Sequence, residues 1–329
     1  MPQKRVLSGM QPSGKLHIGN LTGALQNWVK LQEKYDCYYF VADWHALTSQ
    51  YAETSQIKDS VQDMIINWLA AGLDPDKSTM FIQSWVPEHA ELHTMLSMIT
   101  PLGWLERVPT YKEKQDELKD KDLSTYGFLG YPVLQSADIL IYKANYVPVG
   151  IDQMPHLEIT RGICRRFNHL YSEVFPEPEG LLAEFPKVTG IDGKKMSKSY
   201  GNCIYLSDTP KEVEQKIKTM MTDPQRVKRT DKGNPELSPV FQLHKVFSSK
   251  AEQDEIAEGC RSAGIGCLDC KVILIKNLFK VLEPIWARRE NLLKNQDTIR
   301  DILQSGTKRA KKAAFKTINE VKKAIRLYT

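Results

Sequence analysis

The sequence predicts an α/β protein in which a doubly wound parallel sheet gives way to a helical domain near residues 200–207. Three observations lead there. Short apolar runs alternate with amphipathic helical stretches over residues 5–83. A turn built from Gly9 and Pro12-Ser13-Gly14 follows the first run, where a strand feeds into a helix. Beyond the glycine-containing loop at 189–193 the pattern becomes mainly helical.

Arg5-Val6-Leu7-Ser8 reads as a buried strand. A helix follows over 19–34, with Leu21, Leu25, Trp28 and Val29 on one face. Residues 37–42, rich in aromatics, form the second strand. Ile57, Val61, Met64, Ile65, Trp68 and Leu69 recur at helical spacing until Gly72 and Pro75 stop the helix, and 80–83 is the third strand. Such alternation predicts right-handed crossovers and a Rossmann-like sheet. Residues 101–146, with a charged run from Lys112 to Asp122, read as helices and loops inserted over the sheet edge. Val147-Pro148-Val149-Gly150 returns as a strand and feeds a helix over 153–167. Further helices are expected at 210–221, at 272–288 and at the C-terminus, with no internal repeat. The expected domains are 1–203 and 204–329, the last helix packing back on the first domain.

A hydrophobic content of 41% with 26% charged residues over 329 positions suits a globular enzyme with a full core. No apolar run approaches the roughly 18 to 20 residues of a membrane span, and the N-terminus has no secretory pattern, so a cytoplasmic location is expected. Net charge is +5, but its placement is uneven: residues 308–329 carry eight Lys or Arg against Glu320 alone, +7, leaving −2 for the rest. Such a tail suits a polyanion such as RNA, and it also reads as an amphipathic helix with Ala310, Ala314, Val321, Ala324 and Ile325 inward; no DNA partner is expected.

Two tracts carry the chemistry. His17-Ile18-Gly19-Asn20 places a helix N-terminus just past the first strand, where backbone at Gly9, Gly14 and Gly19 can approach a phosphate and His17 can donate to its oxygens. Lys195-Met196-Ser197-Lys198-Ser199 follows Gly190-Ile191-Asp192-Gly193, and its two lysines suit the neutralising of a departing pyrophosphate. A buried carboxylate at Asp138 must be paired, by a ligand donor or by an internal hydrogen-bond network.

These tracts, in this order, resemble the paired ATP signatures of class I aminoacyl-tRNA synthetases, with Asn20 where a second histidine is frequent. Ser8-Gly9-Met10-Gln11-Pro12-Ser13-Gly14 resembles the opening of the bacterial-type tryptophanyl-tRNA synthetases, and the likeness runs through nearly the whole chain. It implies a HUP-type catalytic domain, a helical anticodon-binding domain, a homodimer, and a reaction of L-tryptophan with ATP and Mg²⁺ followed by transfer to tRNA. It implies ATP contacts at Gln11, Pro12, Ser13, Gly19, Asn20, Gly150, Ile151, Asp152, Val188, Lys195, Met196, Ser197, Lys198 and Ser199, with Lys114 also reaching the phosphates. The family usually has Glu where Ile151 stands, which leaves a backbone contact there. For tryptophan it implies Asp138, in Ala137-Asp138-Ile139, as acceptor of the indole N–H, together with Tyr131, Gln135, His45 and Gln153. The alternatives are a tyrosyl-tRNA synthetase and a non-catalytic paralogue that binds tryptophan or RNA.

Cys260, Cys267 and Cys270 have the spacing of three ligands of a [4Fe-4S] cluster found in some members, and Ser238 stands in the fourth position. Three thiolates and a serine hold such a cluster poorly, so free thiols packed in the helical domain are the expectation, and no other metal site is assigned.

Overall fold

The computed structural model describes residues 3–108, 123–150, 153–182 and 188–328. Five strands, β1 (Arg5–Met10), β2 (Asp36–Val41), β3 (Ser78–Ile82), β4 (Tyr146–Val149) and β5 (Glu179–Leu182), form one parallel sheet in the order β3-β2-β1-β4-β5. Strand order reverses between β1 and β4, which opens a crevice at their carboxyl ends.

The two-residue period of the strands divides the core. Val6, Tyr39, Val41, Met80 and Ile82 face one layer, while Leu7, Tyr38, Phe40 and Phe81 face the other. On the first side lie α1 and α3 (Ile57–Ala71). Helix α1 runs Ile18–Asn20, passes a π-helical turn at Leu21–Leu25 and continues as Gln26–Leu31, burying Leu21, Leu25 and Trp28 as their spacing predicts. Helix α2 (Asp43–Gln50) follows β2. On the second side lie α4 (Glu88–Ser97), α6 (Tyr126–Ile141) and α7 (Met154–Leu170), with the short α5 (Leu102–Leu105) beside α6. The sequence sets 101–146 over the sheet edge; α6 instead packs in the interior between α4 and α7, because apolar residues occupy nearly its whole circumference.

After β5 the described chain is helical: α8 (Pro210–Thr219), α9 (Pro239–Phe247), α10 (Lys250–Ser262), α11 (Cys267–Lys294) and α12 (Gln296–Ala324). Helix α11 lies on α3, where Arg289 meets Asp63 at 2.6 Å and Arg288 donates to the Ala70 carbonyl at 2.5 Å. Helix α12 crosses the edge of the sheet. Ile299 and Leu303 belong to the first core layer, Ala310, Ala314, Ile318 and Val321 to the second, and Gly306 marks the crossing. A Cβ there would lie 1.8 Å from the Met80 carbonyl oxygen. One turn on, Arg309 donates to the carbonyls of Pro75 and Ser78, at 2.8 and 3.0 Å. Among the described residues no helix is long and apolar enough to cross a membrane.

Candidate active site

A cavity of about 310 Å³ opens at the crevice, between the ends of β1, β2 and β4. Ser8, Gly9 and Gln11 supply its floor from β1 and the turn after it, and Phe40 and Ala42 one wall from β2. Helix α2 brings His45, α6 brings Tyr131, Gln135 and Asp138, and Gln153 sits at the start of α7. All five residues assigned to tryptophan thus share one cavity, together with Gln11 from the nucleotide set.

Asp138 is 1% exposed and is held by three side chains. Gln83 donates to Oδ1 at 2.8 Å, His89 Nδ1 meets Oδ1 at 2.6 Å and His45 Nε2 meets Oδ2 at 2.9 Å. Burial alone would raise its pKa, but the hydrogen bonds and charge of His45 and His89 outweigh burial and hold the carboxyl below the usual range. His89 Nε2 in turn lies 2.7 Å from the Tyr142 hydroxyl. A carboxylate has about four acceptor directions, and three are used by the described residues. An internal network of this kind leaves room for one further donor. Tyr131 meets His156 Nε2 at 2.7 Å, and His156 also lines the cavity.

The first tract folds as a cap. His17 Nδ1 accepts from the Gly19 amide at 3.1 Å, and the Asn20 side-chain carbonyl accepts from the His17 amide at 3.0 Å. This reciprocal pairing gives Asn20 a role that a second histidine would not fill in the same way. Burial, then the nearby Lys198 charge, pull the His17 pKa down to about 4. Because Nδ1 accepts, the neutral ring carries its proton on Nε2.

The second tract is brought to the first by the segment after it: Ile18 donates to the Ile204 carbonyl at 3.0 Å and Leu206 to that of Leu16 at 2.9 Å. Lys198 then reaches the Gln-Pro-Ser-Gly turn, donating to the Ser13 carbonyl and hydroxyl at 3.2 Å each and to the Gly14 carbonyl at 3.0 Å. Gly14 holds the turn with a φ of +97°, which a side chain would resist. Pro12 is buried beside it. Burial lowers the Lys198 pKa. Lys195 is exposed, Met196 is buried with its amide on the Val188 carbonyl, and the Ser197 and Ser199 hydroxyls pair at 2.9 Å. Gly150 closes β4 and its carbonyl accepts from Gln153 at 3.0 Å. Lys114, Ile151 and Asp152 lie outside the described residues.

Sequence reading misses four residues of this site: Gln83, His89, His156 and Asn202. The first two meet Asp138 only because β3 and α4 pack beside α6. Pro87-Glu88-His89 offers no local signal beyond a lone histidine. His156 lies one turn from Gln153 on α7, a spacing that could have flagged it.

The three clustered cysteines border a separate cavity of about 20 Å³ with Ser238 and Arg226, roughly the room of one water. Burial pushes the Cys270 thiol up to about 12 and raises that of Cys260. Among the described residues no group of three or more His, Cys, Asp or Glu converges on a metal position. Ser238 supplies no thiolate, and the space beside the three cysteines is far smaller than a four-iron cluster.

A family model described as class I tRNA synthetases (W and Y) matches residues 2–283. The tryptophan–tRNA ligase of Thermotoga maritima is 56% identical over 325 residues, covering 98% of this chain and 99% of its own. That of Ralstonia nicotianae is 44% identical over 394 aligned residues, covering 98% of each chain. The crystal structure of tryptophanyl-tRNA synthetase from Campylobacter jejuni, complexed with ADP and tryptophan, superposes with a TM-score of 0.89 at 35% identity and covers 98% of this chain and 100% of that one.

Proposed function

The chain belongs to the class I tRNA synthetases for tryptophan and tyrosine, and from that membership we propose that it is a tryptophan–tRNA ligase. It activates L-tryptophan with ATP to tryptophanyl-adenylate and pyrophosphate, then passes the acyl group to a hydroxyl of the terminal ribose of its tRNA. The observation that carries this reading is the cavity at the crevice, apolar on most sides, with one buried carboxylate whose remaining acceptor direction suits an indole N–H. The near-full-length relatives are tryptophan–tRNA ligases, which disfavours the tyrosyl reading.

In this reading Asp138 accepts the indole N–H, His45, Tyr131 and Gln135 shape the pocket, and Gln153 takes the amino group or carboxylate of the amino acid. ATP lies along Gln11 to Asn20, Gly150 to Asp152, Val188 and Lys195 to Ser199, with Lys114 on the phosphates. Magnesium bound with the nucleotide would add to the neutralisation of phosphate charge that Lys195 and Lys198 provide. The tryptophan carboxylate is already a nucleophile, so the α-phosphate is attacked without a side-chain base. Neutral His17 donates through Nε2 to the phosphates. Lys195 and Lys198 neutralise pyrophosphate as it separates. Residues 1–203 form the catalytic domain and 204–329 the anticodon-binding domain of a cytoplasmic homodimer.

ATP–pyrophosphate exchange with tryptophan, tyrosine and phenylalanine tests the proposal. Exchange should depend on tryptophan, and Lys195→Ala and Lys198→Ala should slow it far more than they weaken tryptophan binding. Exchange driven by tyrosine instead, or by neither, would overturn it.

A further inference from the structure

We propose that Asn202 is the positioning residue of the second ATP tract, closing residues 189–202 into one unit that carries Lys195 and Lys198 together. This rests on the reading of those lysines given above. The tract is an excursion whose two ends meet: Ile191 donates to the Asn202 carbonyl at 3.1 Å, and Gly190 to that of Lys194 at 2.7 Å. Inside the closed loop sits the Asn202 side chain, 2% exposed. Its Oδ1 accepts from the Ser197 amide at 2.8 Å, and its Nδ2 donates to Asp192 Oδ1 at 2.7 Å and to the Lys195 carbonyl at 3.1 Å.

These contacts use one acceptor and two donors on a single short planar group. Among the common side chains of this length only asparagine offers that set; aspartate has no donor, and serine has one. Space is fixed as tightly as hydrogen bonding. A Cβ on Gly190 would lie 2.3 Å from the Asn202 amide, so the loop closes only around a glycine there. On the far side Gly201, at a φ of +64°, ends the short turn Lys198–Tyr200 and returns the chain to Asn202. Lys195 and Ser197 are therefore gripped through their backbones, which leaves the Lys195 side chain exposed and sets Lys198 on the Ser13 and Gly14 carbonyls. Holding the loop in one shape before ATP arrives lowers the ordering cost of the reacting state.

The test compares Asn202→Ala, Asn202→Asp and the pair Asn202→Asp with Asp192→Asn. In pyrophosphate exchange Asn202→Ala should lose roughly tenfold or more in kcat, since each hydrogen bond removed is worth up to about that factor, with tryptophan binding near wild type and Tm lowered as three groups lose their partner. Asn202→Asp should lose at least as much, because two carboxylates then face each other. The paired change removes that repulsion and supplies an amide from position 192, and should recover activity several-fold. Amide hydrogen exchange gives an arm free of activity: Ser197 should be protected in wild type and lose protection in Asn202→Ala while α3 and α6 keep theirs. A kcat within twofold of wild type, an equal loss of tryptophan binding, no recovery in the pair, or unchanged Ser197 protection would each overturn the proposal. A wild-type chain without tryptophan-dependent exchange would overturn the functional reading instead, and the hydrogen-exchange arm would still decide the role of Asn202.

Discussion

The two oxygens of Asp138 are unequally occupied. Among the described residues Oδ1 is taken by Gln83 and His89 and Oδ2 by His45, so the spare acceptor capacity lies at Oδ2. Asp138→Ala should lower selectivity for tryptophan over phenylalanine by about 1–3 kcal/mol, read from kcat/KM in exchange, and should also lower Tm because three buried donors lose their acceptor. A lower Tm with unaltered selectivity would leave the carboxylate a purely internal anchor. His17 gives a second expectation. Its folded pKa of about 4 lies below its ordinary 6.5, so the unfolded chain binds the extra proton first. Stability from this group is therefore complete above about pH 6.5 and lost as pH falls toward 4. The Tm of wild type should drop more steeply across that window than that of His17→Gln; parallel curves would contradict a buried neutral ring. What the sequence makes legible at this scale is local: His17, Lys195, Lys198 and Asp138 stand in short tracts with a reason for each residue type. Gln83, His89 and Asn202 do not, because their partners are chosen by packing between distant segments or by the shape of a closed loop.

Elements with strong periodicity are read well, including β1, β2, α1 and α3. Helix α2, which carries His45, and α4, which carries His89, are missed because their apolar stripes are interrupted by polar side chains aimed into the site. Strand β5 is missed because Glu-Gly-Leu-Leu is too short to show an alternation. Helix α11 begins at Cys267 rather than near 272, since the Asp269 carboxylate accepts from the Gly266 amide and starts it a turn early. The packing of α12 on the sheet edge allows a test in which two effects have opposite signs. Helix propensity favours Gly306→Ala by about 1 kcal/mol, while the added Cβ would meet the Met80 carbonyl at 1.8 Å. Overpacking of this kind costs about 1–3 kcal/mol, so the variant should unfold at lower temperature and lower urea. A stabilised variant would show that the helix shifts freely along β3.

For the whole molecule, the surplus of positive charge at the C-terminus is only partly available to a partner. Arg309 is engaged with the Pro75 and Ser78 carbonyls at the start of β3 and Lys322 with Glu91 at 2.6 Å, whereas Lys308, Lys311, Lys312 and Lys316 are exposed. If these four lysines meet phosphates, replacing them with glutamine should weaken tRNA binding and flatten its salt dependence by roughly 0.7 to 0.9 log units for each phosphate no longer neutralised. Tryptophan activation without tRNA should be unchanged, and an unaltered salt slope would leave this face with a packing role alone. The path of α12 has another consequence. An outermost strand is a template on which a second chain can polymerise by backbone pairing, and proteins with bare strands there are prone to precipitate. By laying Gly306 against Met80 and turning Arg309 onto neighbouring carbonyls, α12 occupies that template on the β3 side. A chain cut at residue 295 would therefore lose more than a basic face: its β3 flank would become adhesive, and insolubility rather than inactivity would be its first symptom.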